Sequence, residues 1–489
     1  MTTPYLAQFN HIASLHNALT TQELTAKELT QEALKAIQDS DLNAFTQVDV
    51  DLSLAQAEAA DRLLADNSAS VLTGIPIAYK DLLVTKGWRT TAASKMLEHY
   101  VSPFDATAVE QLKSRGAVSL GKLNCDEFGV PTESPSSIFG PVGDPWGATN
   151  TTPASSEGAA AAVAAGLVMA AIATDTGGEL RHAASTSGVS GIRPTYGTVS
   201  RYGMVAVGSS FDTIGPIARH AGDLVPLLDA MSGFDPCDGT SLEQCLDTPN
   251  RAGRIQADFQ HHQQHLAGQV DATPLKGLRF GIGDDATIAQ NTLRELEDLG
   301  AEIVSVKLPH ITVAEPTYHV LSAAETSTNL SRYDGVHFGY RSSTYEDLED
   351  MVARSRTEGF GDAVKLRILL GTYMLSEAQV ESYYHQAQRV RQLIASELQH
   401  VLATNCDVLL APTIADPAEQ HPQASNHWLM APALAGLPAL SIPCGFNAEH
   451  RQPLGIQLIG NYFHEGQLLA IANCYQHATD WHQLTPETA

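Results

Sequence analysis

The sequence predicts an α/β protein. Through the middle of the chain, short strand-like runs alternate with helical stretches, the pattern of layered α/β folds. The composition is ordinary for a globular chain: 489 residues, 43% hydrophobic and 17% charged, long enough for a large buried core. The 37 Gly and 24 Pro supply the many tight loops such a fold needs.

The elements follow in order. The first sixty residues read as helical. Thr20-Thr21-Gln22-Glu23 and Thr25-Ala26-Lys27-Glu28 each match a capping box. Leu29, Ala33 and Ile37 then recur at one-turn spacing, and a second helical run covers about Leu52 to Leu64. Ile75–Tyr79 is a strand-like run ending at Lys80-Asp81, and Ala117–Leu120 is another, preceded by a helical stretch from Ala106 to Arg115. Between Asp126 and Ser156, Gly, Pro, Ser, Thr and Asn crowd into loops. Ala159 to Ala173 is the longest apolar stretch; it is too short to span a membrane and reads as a buried helix.

From about Pro236 to Pro274 the chain turns polar, as a surface helix would. Its His261-His262-Gln263-Gln264-His265 run has no carboxylate or cysteine pattern beside it, so no metal site is expected. Leu278–Ile282 reads as a strand; Gly281-Ile282-Gly283 lacks the third glycine of a dinucleotide fingerprint. Helices are expected around Tyr373 to His400, a strand at Val408–Ala411 and an apolar stretch from Ala431 to Cys444.

Bulk properties exclude several functions. A net charge of −26 repels phosphate backbones, which argues against direct nucleic-acid binding by a broad basic face. The six cysteines are scattered without a CxxC pair, as in a reduced, cytoplasmic protein. The N-terminus carries no secretory pattern, and no membrane association is expected.

Three segments can carry chemistry. Lys80 ends an apolar strand, where burial can make a lysine a base; alternatively it only pairs with Asp81. Ser155-Ser156 leads into the apolar helix, and serines there are commonly caps. In Thr174-Asp175-Thr176-Gly177-Gly178-Glu179, consecutive glycines let backbone N–H groups converge as an oxyanion hole requires, although such a turn can be only a turn.

Together, these segments and Gly191-Ile192-Arg193-Pro194-Thr195-Tyr196-Gly197 resemble the amidase-signature family in order and spacing. Thr91–Leu97, Val199–Gly203, Asn329–Gly335 and Leu434–Pro438 narrow the resemblance, from about residue 15 to 480, to the A subunits of tRNA-dependent amidotransferases. The resemblance implies a mixed central β-sheet covered by helices on both faces. Residues 1–70 would form a helical segment packed on one continuous domain over 71–489. It implies a relay in which Lys80 is the base and Ser155, counted back from the nucleophile position, is a bridging serine in a cis peptide. Thr176, Gly177 and Gly178 would hold the oxyanion. Tyr318, Arg367 and Asn426 would bind a small amide such as glutamine. The implied partners are the B and C subunits of a heterotrimer, with tRNA met only indirectly. No cofactor is implied for this chain, ATP and magnesium belonging to the B subunit.

The nucleophile position falls on Glu179. A carboxylate is a poor nucleophile toward an amide, and loss of a catalytic serine costs roughly 10⁴ to 10⁶ in rate. Glu179 is also expected to form an ion pair with Lys80 and hold it protonated. Departures cluster around it: Ala154 and Glu157-Gly158-Ala159 replace glycines and a serine, Gly129–Thr132 shortens a loop, and Arg181-His182-Ala183 replaces Arg-Gln-Pro. Three readings stand open: a non-catalytic amidase-fold protein, a working A subunit, or a hydrolase in which Glu179 acts as a general base on water.

Overall fold

The computed structural model describes residues 4–130, 135–147, 155–268, 273–413, 426–447 and 452–486. Its strands are β1 (Phe45–Gln47), β2 (Pro76–Lys80), β3 (Val118–Leu123), β4 (Ala170–Asp175), β5 (Ser190–Arg193) and β6 (Thr213–Ala218). A small hairpin of β7 (Gln244–Cys245) and β8 (Thr248–Pro249) follows, then β9 (Arg279–Gly283), β10 (Glu302–Val306), β11 (Val408–Pro412), β12 (Ala439–Asn447) and β13 (Gln452–Ile459). All but the hairpin form one sheet in the order β1-β3-β2-β4-β6-β5-β12-β13-β11-β9-β10. It is mixed, with helices on both faces: β3, β2 and β4 run parallel, β9, β10 and β11 run parallel, and the strands between pair antiparallel.

This topology builds the site. Because β2 and β4 are parallel neighbours, their C-terminal residues, Lys80 and Asp175, emerge at the same end of the sheet, the usual place for α/β chemistry.

The N-terminal residues are helical as expected, and β1 joins them to the sheet as an antiparallel edge strand beside β3. The Thr25–Glu28 capping box forms in full at the start of the helix Ala26–Gln38, burying Leu29, Ala33 and Ile37. The Thr20–Glu23 box does not form. Thr20 is the last residue of the helix Ile12–Thr20, and its Oγ1 donates to the His16 carbonyl.

The apolar stretch Ala159–Ala173 is not one helix. It is the end of the helix Glu157–Ala164, a turn, and most of β4. Gly166 at φ 67° reverses the chain between them. Alanines pack in either element, so the period could not separate the two. The polar excursion contains the helix Arg254–Ala267, with His261 exposed and His262 Nε2 3.4 Å from Asp258.

One histidine cluster ties the two ends of the chain together. The His11 and His220 rings stack at 3.4 Å, and His482 meets His220 edge-on at 4.8 Å. Asp223 accepts from Ile12 N at 3.1 Å, and His477, Arg219 and Asp480 face the same cluster. Burial, reinforced by the neighbouring cations, holds His220 down to about 2 and His482 to about 4. Burial pushes Asp223 up to about 7.

On acidification from pH 6.5 toward about 4, the unfolded chain takes up protons on His11, His220 and His482 that the folded chain resists. Asp223 opposes this with one proton bound only in the fold. The histidines outnumber the carboxyl, so acid is destabilising. Urea midpoints should therefore fall between pH 6.5 and about 5, and fall less in His220→Phe. Equal drops in both proteins would contradict this.

Candidate active site

Lys80 is fully buried at the end of β2. Its Nζ donates to Ser156 Oγ and to Thr174 Oγ1, each at 3.0 Å. Ser156 Oγ in turn donates to the Thr174 carbonyl at 3.2 Å. The lysine does not pair with Asp81, which accepts from Thr91 N and Oγ1 and lies 3.7 Å from Lys122. Burial raises the Asp81 carboxyl and lowers Lys122 to about 8.

The serine in contact with Lys80 is Ser156, not Ser155. Ser155 is buried with no partner for its Oγ. The helix Glu157–Ala164 fixes the register: Ser156 precedes its first residue, yet its side chain makes no cap bond and turns to the lysine instead. Peptide bonds among the described residues are all trans, including that between Ser155 and Ser156.

Glu179 opens the helix Glu179–Thr186, and its carboxylate folds back over the preceding turn. Thr176 N donates to both of its oxygens at 2.9 Å, and Gly177 N donates to Oε2 at 2.9 Å. The glycine turn therefore does make two amides converge, and the point of convergence is filled by the protein's own carboxylate. Gly178 shapes the turn through its left-handed φ of 114° rather than as a donor to Glu179. The expected Lys80–Glu179 ion pair does not form: among the described residues no carboxylate oxygen lies within 4 Å of Lys80 Nζ. Charged hydrogen bonds to two preorganised amides, at a helix N-terminus, outcompete a lysine already held by two hydroxyls.

The turn is rigidly braced. Asp175 receives Arg181 Nε at 3.0 Å, Arg181 Nη2 at 3.1 Å and Arg193 Nη1 at 2.9 Å, all three side chains fully buried. Burial opposes ionisation of Asp175, but the two guanidiniums outweigh it and hold its carboxyl low. Thr176 Oγ1 donates to Asp212 at 2.7 Å, and burial raises Asp212 to about 6. Gly177 lies against Tyr318: a methyl group there would come within 2.6 Å of the Tyr318 hydroxyl.

The residues expected to bind substrate lie on one network beside the turn. Tyr318, on the helix Ala314–Leu330, is buried beside the turn, and its phenol is raised by burial and by the Glu179 charge. Arg367 lies within electrostatic reach of Tyr318, with Nη1 3.4 Å from His319 Nδ1. Asn426 Nδ2 donates to Glu315 Oε1 at 3.2 Å, and Glu315 Oε1 lies 3.7 Å from His319 Nε2, so a chain of contacts links Asn426 to Arg367.

Sequence reasoning did not single out Asp126, Asp212 or His319, and gave Thr174 no role of its own within the glycine segment. Asp126 is raised by burial, feels both Lys80 and Glu179, and has one oxygen without a partner. Its position in the Asn124–Glu127 run directly after β3 was the available signal, since β3 is the parallel neighbour of β2. His182, one turn after Glu179, is lowered by burial to about 4. Among the described residues no group of three or more His, Cys, Asp or Glu is arranged to hold a metal ion. None of their helices is long and apolar enough to cross a membrane.

A mixed eleven-stranded sheet thus carries a buried lysine–serine contact and a glycine turn of convergent amides at the ends of neighbouring strands. The amidase family profile matches residues 28–469, and the chain belongs to that family. It is 51% identical to the A subunit of the glutamyl-tRNA(Gln) amidotransferase of Bordetella avium over 98% of both chains, and 48% identical to that of Ralstonia pickettii over 97% and 99%. Among solved structures, the A subunit of the same amidotransferase from Thermotoga maritima superposes with a TM-score of 0.72 at 32% identity, covering 95% of each chain. The peptide amidase of Stenotrophomonas maltophilia superposes with 0.81 at 28% identity, covering 97% and 98%.

Proposed function

We propose that this chain is an A subunit of the glutamyl-tRNA(Gln) amidotransferase type whose own amide-hydrolysing site is silent. Relatives of that name at about half identity over nearly the whole chain support the first part. The observation that carries the second is the Glu179 carboxylate on the Thr176 and Gly177 amides. A substrate carbonyl would have to displace a charged group tethered at its own binding point, and no serine stands at 179 to attack it. With both oxygens engaged by amides, Glu179 also has little freedom to serve as a general base on water.

On this reading the relay runs from Lys80 to Ser156, and Tyr318 and Arg367 line the pocket for glutamine. The ATP and magnesium chemistry belongs to a B subunit, the C subunit completes the assembly, and the complex is cytoplasmic, where its tRNA is. The helix Asp362–Leu375 supports an assembly: it exposes Leu366, Leu369, Leu370 and Tyr373 on the surface around Arg367, an apolar patch expected at an interface.

The test is co-expression with B and C subunits. The complex is expected to form and to release no ammonia from glutamine, yet to amidate Glu-tRNA(Gln) when ammonium is supplied. Failure to co-purify overturns the assembly. Ammonia release by the unaltered complex, lost in Lys80→Met, overturns the silent site.

A further inference from the structure

A cavity of about 240 Å³ opens beside the histidine cluster, where the two ends of the described chain meet. Its Asn10, Arg219 and Gln483 adjoin His11, His220 and His482 in the chain. None of the residues described above as the active site lines it. A cavity of roughly 150 Å³ holds a benzene ring, so this one has room for a body of about eight to ten heavy atoms.

Its walls are apolar. Leu6 comes from the N-terminal helix Pro4–Gln8, Val163 from the helix Glu157–Ala164, and Val168 and Met169 from the turn before β4. All four are buried. One cation faces them, Arg219, the residue after β6, and no carboxylate lines the cavity.

Arg219 is oriented but not neutralised. Its Nη1 donates to the Leu484 carbonyl at 3.0 Å and its Nη2 to the Ala164 carbonyl at 2.9 Å. Its Nε has no acceptor among the described residues, and it is not sealed from solvent as the Nε atoms of Arg193 and Arg254 are. Burial lowers the guanidinium to about 10, and no described carboxylate offsets that. The acids of the neighbouring cluster are engaged elsewhere: Asp223 accepts from Ile12 N at 3.1 Å, and Asp480 accepts from Gln483 Nε2 at 2.9 Å. A guanidinium drawn out of water without a countercharge is costly, and an incoming anion recovers that cost. At the rim, Asn10 and Thr485 are exposed and hold further donors.

We propose that this cavity binds a small monocarboxylate with a short apolar body, its carboxylate on Arg219 and its hydrocarbon against Leu6, Val163, Val168 and Met169. At contact the carboxylate meets the guanidinium directly, whereas the distant acids of a chain at −26 are screened over about 8 Å at physiological salt. Inorganic phosphate would set its remaining oxygens against apolar walls without partners. The bound molecule touches both ends of the described chain. The inference is independent of the silent-site reading and holds whether or not that reading does.

The test is calorimetric titration of the full-length chain with hexanoate at constant ionic strength. Its controls are acetate, which lacks the body, hexan-1-ol, which lacks the charge, and inorganic phosphate. Hexanoate should bind at least about tenfold more tightly than each control. Arg219→Met should reduce hexanoate to the level of hexan-1-ol. Because that change also removes two bonds to backbone carbonyls, Thr485→Trp serves as a second variant. It enlarges an exposed side chain at the mouth and should weaken hexanoate at least about tenfold while leaving the melting temperature of the free protein unaltered. No binding of hexanoate, equal binding of any control, or undiminished hexanoate binding in Thr485→Trp would each overturn the proposal.

Discussion

Glu179→Ala is expected to lower the unfolding free energy by about 2–4 kcal/mol, far more than the few tenths usual for a partly exposed residue at a helix start. Two amide donors lose a charged acceptor, each charged hydrogen bond being worth about 1.5–3 kcal/mol net. The helix also loses a favourable charge at its positive end, worth a further 0.3–1 kcal/mol or so. Water entering the vacated cradle recovers part of the sum. Glu179→Gln keeps an acceptor without the charge and should fall between the two. Urea denaturation at neutral pH measures all three proteins. An alanine variant as stable as the parent would mean that the cradle does not hold the carboxylate.

The second large effect belongs to the brace behind the turn. Asp175→Asn keeps the shape of the side chain but leaves Arg181 and Arg193 buried with one countercharge removed. Breaking one member of such a buried set costs about 3–5 kcal/mol. Because Asp175 has its carboxyl held low in the fold, its contribution is present in full above the ordinary carboxylate range. It is lost only as pH falls through the lowered folded value, so the Asp175→Asn deficit should be constant at neutral pH and shrink in strong acid. Removing the exposed Lys27–Glu58 pair should leave stability indistinguishable from the parent. A deficit for Asp175→Asn no larger than for that surface pair would contradict the brace.

Much of this was legible before any coordinates. The alternation of strands and helices gave the layered fold, and Lys80 at a strand end, the glycine turn and Glu179 are where the sequence places them. What failed did so for local physical reasons. The Ala-rich stretch from Ala159 packs equally well as helix or strand, so only Gly166 marks the break. Adjacent serines at 155 and 156 could not be told apart by counting, and it is Ser156 whose hydroxyl meets Lys80. Opposite charges at 80 and 179 suggested an ion pair, but sequence does not display backbone amides, and those won the carboxylate. Asn426 follows residues outside those described, and its link to Arg367 runs through Glu315 and His319, which no motif displayed. The shortened loop residues Pro131 and Thr132, and Ala154, lie outside the described residues.

The most direct measurement asks whether the vacated cradle takes a carboxylate from solution. Melting temperatures of the parent and Glu179→Ala can be followed against formate at constant ionic strength, with chloride as the balancing salt. If the Thr176 and Gly177 amides form the anion site described here, formate should raise the melting temperature of the variant in a saturable way and leave the parent unchanged. Identical responses of the two proteins would show that Glu179 does not occupy that site.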